Sequence, residues 1–250
     1  MGYGVERGYV TGFTLPVVAE TFDGWLNDIN AFHVERHHAY DALAAAAGGA
    51  VPEGNVGGGT GMRCHGFKGG IGTSSRLVEN EAGRYVVGAL VQANYGSMRH
   101  LRVDGVPVGR ELDPRGAAPS PGGSIIVIVA TDAPLLPGQC RRFAQRATVG
   151  LARVGGVGYN SSGDIFLAFA TGNHLPAVSR TRTLHDLRML PHEYLNPFFD
   201  AVAEAVEESI LNALVAAETM VGFKGTAHTL PLDELAAIMA RYRPREEREA

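Results

Sequence analysis

The stretch Gly122-Gly123-Ser124 is where residue type and spacing in this chain could do chemistry. Residues 111–123 (ELDPRGAAPSPGG) hold almost nothing to bury and read as a linker, which ends abruptly where a hydroxyl residue opens the β-branched run 124–131 (SIIVIVAT). A serine hydroxyl is a weak nucleophile and needs a base. If the Gly123–Ser124 bond is cut, Ser124 gains an α-amine with a pKa of about 7.7–8.0, partly neutral at pH 7 and within reach of its own hydroxyl. That amine can take the proton. Glycine before the bond permits the strained backbone that attack on it requires. The same residues also read as an ordinary linker followed by a strand.

Other chemistries are weaker. His33 and His37 are spaced as helical zinc ligands can be, but the string is HVERH rather than HExxH and no third ligand is near. His37-His38 therefore reads as an exposed helix face, and His65 beside Cys64 lacks a second ligand pair. No metal is expected. Gly61–Lys68 (GMRCHGFK) puts Phe67 where a phosphate loop needs lysine, and no Ser or Thr follows Lys68. The glycines of residues 54–74 read instead as tight turns and close backbone approach. No GxSxG elbow is present.

The elements that must position Ser124 follow from periodicity. The 250 residues, 26.5 kDa, fit a single domain, and 45% hydrophobic against 19% charged residues excludes a disordered chain. A net charge of −4 argues against nucleic acid. The start has no apolar signal core, and the longest aliphatic run, residues 125–130, is far below the ~18 residues of a membrane span. Two cysteines exclude a disulfide framework and suit a cytoplasmic protein. Residues 31–47 predict a helix stopped by Gly48-Gly49, 84–94 a buried strand, and 100–103 a second strand entering a turn at Asp104-Gly105. Apolar steps of three and four predict helices over 136–154, from Asn196 (N-cap, with Pro197 at N1) to near Gly222, and over 232–242, with a strand at 165–170 and a solvated tail from 243. Strands followed by paired helices suggest layered α/β or α+β.

The run GGSIIVIVATDAPLLP resembles the start of the β chain in the L-aminopeptidase/D-esterase (DmpA) family of β-peptidyl aminopeptidase-like hydrolases. LPVVAETFDGWLNDINAFHV (15–34), EGNVGGGTGMRCHGFKGGIGTSSR (53–76), VGALVQANYG (87–96) and GLARVGGVGYNSSGDIFLAFAT (150–171) resemble that family in its order. The resemblance implies an α+β fold, a four-layer αββα sandwich, here without the N-terminal part of the longer family precursors. Residues 1–123 would be α-chain-like and 124–250 β-chain-like within one domain.

By the same resemblance, self-cleavage falls between Gly123 and Ser124, and Ser124 is the nucleophile. Asn94 is an oxyanion donor, and Ser162 and Asp164 orient the nucleophile and its amine. Glu20 is a candidate partner for the substrate ammonium, with Asp23 and Asp28 as alternatives, Asp28 also reading as a helix-start residue. Phe22 replaces a tyrosine common in relatives. The implied protein is a cofactor-free, self-processing aminopeptidase. It would release N-terminal residues from small peptides, amides or esters through an acyl-enzyme, as a homotetramer. An acyltransferase of the ornithine acetyltransferase architecture and an uncut, non-catalytic scaffold stay open as alternatives.

Overall fold

The computed structural model describes residues 2–8, 15–113, 123–175 and 184–242. Most of the 111–123 linker and the tail from 243 lie outside the described residues. The elements in chain order are α1 (Gly2–Glu6), α2 (Arg36–Ala45), β1 (Arg63–Cys64), β2 (Phe67–Lys68), β3 (Gly70–Asn80), β4 (Gly83–Asn94) and β5 (Ser124–Thr131). They continue with α3 (Pro137–Arg153), β6 (Ile165–Ala170), α4 (Asn196–Val215), β7 (Met220–Val221), β8 (Thr226–Ala227) and α5 (Leu232–Tyr242).

One mixed sheet, in the order β3-β4-β5-β6, organises the chain. β3, β4 and β5 pair antiparallel; β5 and β6 are parallel, joined through α3. The register follows from alternation. Val87, Ala89, Val91 and Ala93 on β4, with Ile125, Val127 and Val129 on β5, are buried beneath the helices. Above them lie Phe143, Ala147 and Leu151 of α3 and Phe198, Val202, Val206, Ile210 and Leu214 of α4, whose spacing of three and four puts them on one face. Full burial of each large side chain is worth about 1.5–3 kcal/mol. α4 comes so close to β3 that a Cβ at Gly72 would stand 1.9 Å from the Ser209 carbonyl oxygen.

The described residues thus supply one helical and one β layer of an α+β sandwich. Among the described residues much of the sheet's other face is open: Leu77, Val86, Ile165, Leu167 and Phe169 point outward and are exposed.

Several expectations need correction. β3 was hidden in the glycine-rich run because Gly70 and Gly72 carry no side chain to alternate. Residues 98–100 form a 3-10 turn rather than a strand start, and Val103 makes only an isolated bridge with Val106 across Asp104-Gly105. That tight turn is as expected, both residues having positive φ. α4 is capped by Leu195, so Asn196 is its first residue rather than its N-cap. It stops at Val215, where the chain leaves for β7, well short of Gly222. α2 starts at Arg36, so His33 lies outside it and never shares a helix face with His37. On α5 the buried residue is Ile238; Leu232 and Tyr242 are exposed.

Candidate active site

The sheet brings three strand ends to one edge. Antiparallel pairing sets Asn94, last residue of β4, opposite Ser124, first residue of β5. Parallel pairing of β5 with β6 starts at Ile126 opposite Ile165, which places Ser162–Asp164 beside the Gly123–Ser124 bond. Residues 30 positions apart in sequence thus become cross-strand neighbours, and residues 39 apart meet within hydrogen-bond distance.

Ser124 Oγ accepts a hydrogen bond from the Gly163 main-chain N–H at 2.9 Å. Ser162 Oγ lies 2.7 Å from the Gly123 carbonyl oxygen and 2.5 Å from Asp164 Oδ1. A hydroxyl has one hydrogen, so Ser162 donates to one of these oxygens at a time. Asp164 Oδ1 also accepts from the Ile125 N–H at 3.2 Å, which ties the carboxyl group to β5.

Asn94 is fixed by its neighbours. The Arg63 main-chain N–H can only donate, so the atom it meets at 2.9 Å is Oδ1. Nδ2 then donates to the Phe22 carbonyl at 2.9 Å. One of its two hydrogens is used there; the second has no acceptor among the described residues. This bond and Gln92 Nε2 donating to Thr21 Oγ1 at 2.8 Å hold the 20–23 loop on β4.

The structure therefore brings together Gly123, Ser124, Asn94, Ser162, Asp164 and the backbone of Phe22. The Phe22 ring is 62% exposed. Glu20 is exposed on the same loop and takes part in no hydrogen bond or ion pair among the described residues. Asp28 caps a short 3-10 turn through Asn30 N, matching its reading as a helix-start residue.

Sequence reasoning missed two groups. The Gly163 N–H is a main-chain donor, which side-chain pattern cannot announce. Tyr95 follows Asn94 and is buried along a cavity of about 10 Å³, room for one water, with Gly123, Ser162 and Asp164. Its hydroxyl has no partner among the described residues. Burial first, then the proximity of Cys64 and Asp164, pushes Tyr95 well above the ordinary tyrosine range, so it stays a donor.

The other sequence candidates take different places. His38 Nδ1 accepts the Glu35 N–H at the start of α2, and His33 and His37 are exposed. His65 is buried and held down at about 4, chiefly by burial, with Nδ1 bonded to the Ser97 carbonyl at 3.1 Å. Among the described residues no three His, Cys, Asp or Glu side chains cluster as metal ligands. Lys68 is fully buried, and its ammonium donates to the Gly59 and Gly69 carbonyls rather than facing a phosphate site.

Gly123 has a steric reason. A Cβ there would stand 2.0 Å from the Asn94 carbonyl oxygen, closer than any side chain tolerates. Gly123→Ala is expected to push the Gly123–Ser124 bond off Ser162 and slow any cleavage at 123–124 by ~10-fold or more, the scale of 1–3 kcal/mol of overpacking. A mass-spectrometric time course after synthesis reads this; fragments appearing at the wild-type rate would refute it.

Comparison with known proteins defines the class first. The fold is shared with the L-aminopeptidase D-Ala-esterase/amidase of Ochrobactrum anthropi, described as a prototype for the serine aminopeptidases and a variant among the Ntn-hydrolase fold. The two are 44% identical with a TM-score of 0.88, over 95% of this chain and 66% of that one. A Burkholderia sp. β-aminopeptidase matches at 51% identity and a TM-score of 0.88, over 98% of this chain and 70% of its own. Residues 4–228 match peptidase family S58, and the chain belongs to that family. It is 50% identical over 244 residues to the β-peptidyl aminopeptidase BapA of Sphingosinicella microcystinivorans, covering 91% of this chain and 61% of that protein's length.

Proposed function

We propose that this chain is a self-processing serine aminopeptidase acting on small peptides, amides or esters. One observation carries the reading: the Gly123–Ser124 bond is gripped from both sides, Ser162 at its carbonyl oxygen and the Gly163 N–H at the Ser124 hydroxyl.

In processing, Ser124 Oγ attacks the Gly123 carbonyl carbon. A C–O bond forms, the C–N bond breaks, and the Ser124 hydroxyl proton ends on the departing nitrogen, which is released as the Ser124 α-amine. Ser162 donates to the carbonyl oxygen as charge builds on it. Water then hydrolyses the ester, leaving Gly123 as a carboxylate. In turnover the freed amine takes the Ser124 hydroxyl proton, and the hydroxyl attacks the substrate carbonyl. The second Nδ2 hydrogen of Asn94 meets the oxyanion, and the amine protonates the leaving group. Water resolves the acyl-enzyme. Ser162 and Asp164 anchor the amine. The absence of a cofactor, a cytoplasmic location and a homotetramer belong to the same reading; the first draws on the lack of ligand spacing, the second on cysteine usage and the third on the family resemblance.

An aminopeptidase must recognise a free ammonium, and a carboxylate is its simplest partner. Glu20, on the loop that Asn94 holds at Phe22, is our candidate. N-acetylation of an aminoacyl anilide is therefore expected to reduce hydrolysis nearly to background. Glu20→Gln is expected to raise KM for the free-amine substrate and narrow the gap to the acetylated one. Equal rates on the paired anilides would remove both the exopeptidase reading and the role of Glu20.

A further inference from the structure

Strand alternation separates two neighbours at the end of β4. Asn94 shares a face with Ser124, its cross-strand partner, whereas Tyr95 turns beneath the helices into the core. The ring is fixed there. The Tyr95 carbonyl accepts the His65 main-chain N–H at 2.7 Å, and the His65 imidazole meets the phenol ring at 69° with centroids 4.9 Å apart. A phenylalanine would fill the same space without burying a polar group. The hydroxyl is instead buried with no partner among the described residues, an arrangement that calls for a bound water or a function.

The cavity that Tyr95 lines with Gly123, Ser162 and Asp164 has a volume of about 10 Å³, the size of one water. Most hydrogen-bonding groups around it are already engaged. The Ser162 hydrogen goes to the Gly123 carbonyl or to Asp164 Oδ1. The Tyr159 hydroxyl, on the same cavity, is bonded to His100 Nδ1 at 3.1 Å. Asp164 Oδ1 also accepts from the Ile125 N–H. Two groups are left over: the Tyr95 O–H, and Asp164 Oδ2, which takes part in no hydrogen bond among the described residues. One is a donor and the other an acceptor. They lie near enough for the carboxylate charge to act on the phenol, after burial and the Cys64 thiol.

We propose that Tyr95 is a positioning residue for Asp164: its hydroxyl holds one water in this cavity, and that water donates to Asp164 Oδ2. This goes beyond the aminopeptidase reading but rests on it, because Asp164 has a part in catalysis only there. The water accepts from the Tyr95 O–H and gives one hydrogen to Oδ2; no proton is transferred. With both of its oxygens held, the carboxylate cannot rotate away from Ser162 and the Ile125 N–H. Ser162 then stays on the Gly123 carbonyl during processing and beside the freed amine during turnover. The hydroxyl is closed off from solvent, so substrate does not touch it and its effect falls on kcat rather than KM.

Tyr95→Phe removes the hydroxyl and keeps the ring. It is expected to lower kcat on an aminoacyl anilide by ~10-fold, the scale of a lost hydrogen bond to a charged group, with KM unchanged and processing slowed alongside. Combined with Asp164→Ala it should add nothing, because a group acting only through Asp164 has no route once that carboxyl is gone. Melting temperature should hold or rise, since a buried polar atom is removed. A purely structural tyrosine would lower it and leave kcat alone. Wild-type kcat in folded Tyr95→Phe protein, or losses that add in the double variant, overturns the proposal.

High-resolution crystals read the water directly, whether or not the variant folds. In wild-type or Ser124→Ala protein one ordered water is expected within hydrogen-bond distance of both Tyr95 Oη and Asp164 Oδ2. An empty cavity, or a water bound to only one of the two, refutes the bridge. Protein that hydrolyses no anilide defeats the aminopeptidase reading, and the water in Ser124→Ala crystals then decides the bridge by itself.

Discussion

Ser124→Ala protein is expected to stay whole at 26.5 kDa, whereas wild type resolves into fragments of 123 and 127 residues. The fragments are nearly equal in length, so intact mass rather than a gel reads the result. The variant loses the hydroxyl that attacks Gly123 and never exposes the α-amine that serves as base, so hydrolysis should fall by ~10⁴-fold or more, as when a nucleophile is removed from a hydrogen-bonded set. The substitution is structurally mild. Ser124 is only half-buried, and its side chain accepts a single hydrogen bond, from the Gly163 N–H. Wild-type protein that persists as one inactive 26.5 kDa species would refute self-cleavage for this chain. Cleavage persisting in the alanine variant would place the nucleophile elsewhere.

Ser162→Ala and Asp164→Ala are each expected to lower turnover by ~10²-fold or more, typical of losing one positioned proton-transfer or oxyanion group. The two should differ in processing. Ser162 stands 2.7 Å from the Gly123 carbonyl oxygen, so its loss removes the donor from the bond being broken. Asp164 reaches that bond only through Ser162 and through the Ile125 N–H. Cleavage rate by intact mass should therefore fall further in Ser162→Ala, while kcat of the processed proteins falls in both. Folded variants that keep wild-type kcat would make Ser-x-Asp no more than the turn into β6.

Much of this molecule is legible without coordinates. The β-branched run at 124–131 and the apolar steps along 136–154 and 199–217 carry their periods openly, because those segments bury one face and the burial dictates the pattern. The linker's end singles out Ser124 by composition, although the same residues also read as a plain linker before a strand, and the family resemblance is what makes Ser124, Asn94, Ser162 and Asp164 candidates. Elements built on backbone are silent in this respect. β3 begins in glycines that allow α4 and the 54–59 loop to approach, and glycine has no side chain with which to declare a strand. Residues 100–103 look extended by residue type, yet His100 ends a 3-10 turn begun at Met98, Leu101 is buried in the core and Val103 makes only an isolated bridge.

The sequence by itself determined which residues could react: a serine after glycine at a strand's start, and an acid two residues beyond a second serine. Only the tertiary structure decided which of these groups meet. Pairing of β4 with β5 and of β5 with β6 turns separations of 30 and 39 residues into contacts, because strand register fixes which ends share an edge. It then puts Ser162 on the Gly123 carbonyl, aims the Gly163 N–H at Ser124 and buries the Tyr95 hydroxyl beside them. These are facts of distance between groups remote in the chain, and a main-chain N–H or a buried donor has no residue type by which a sequence could announce it.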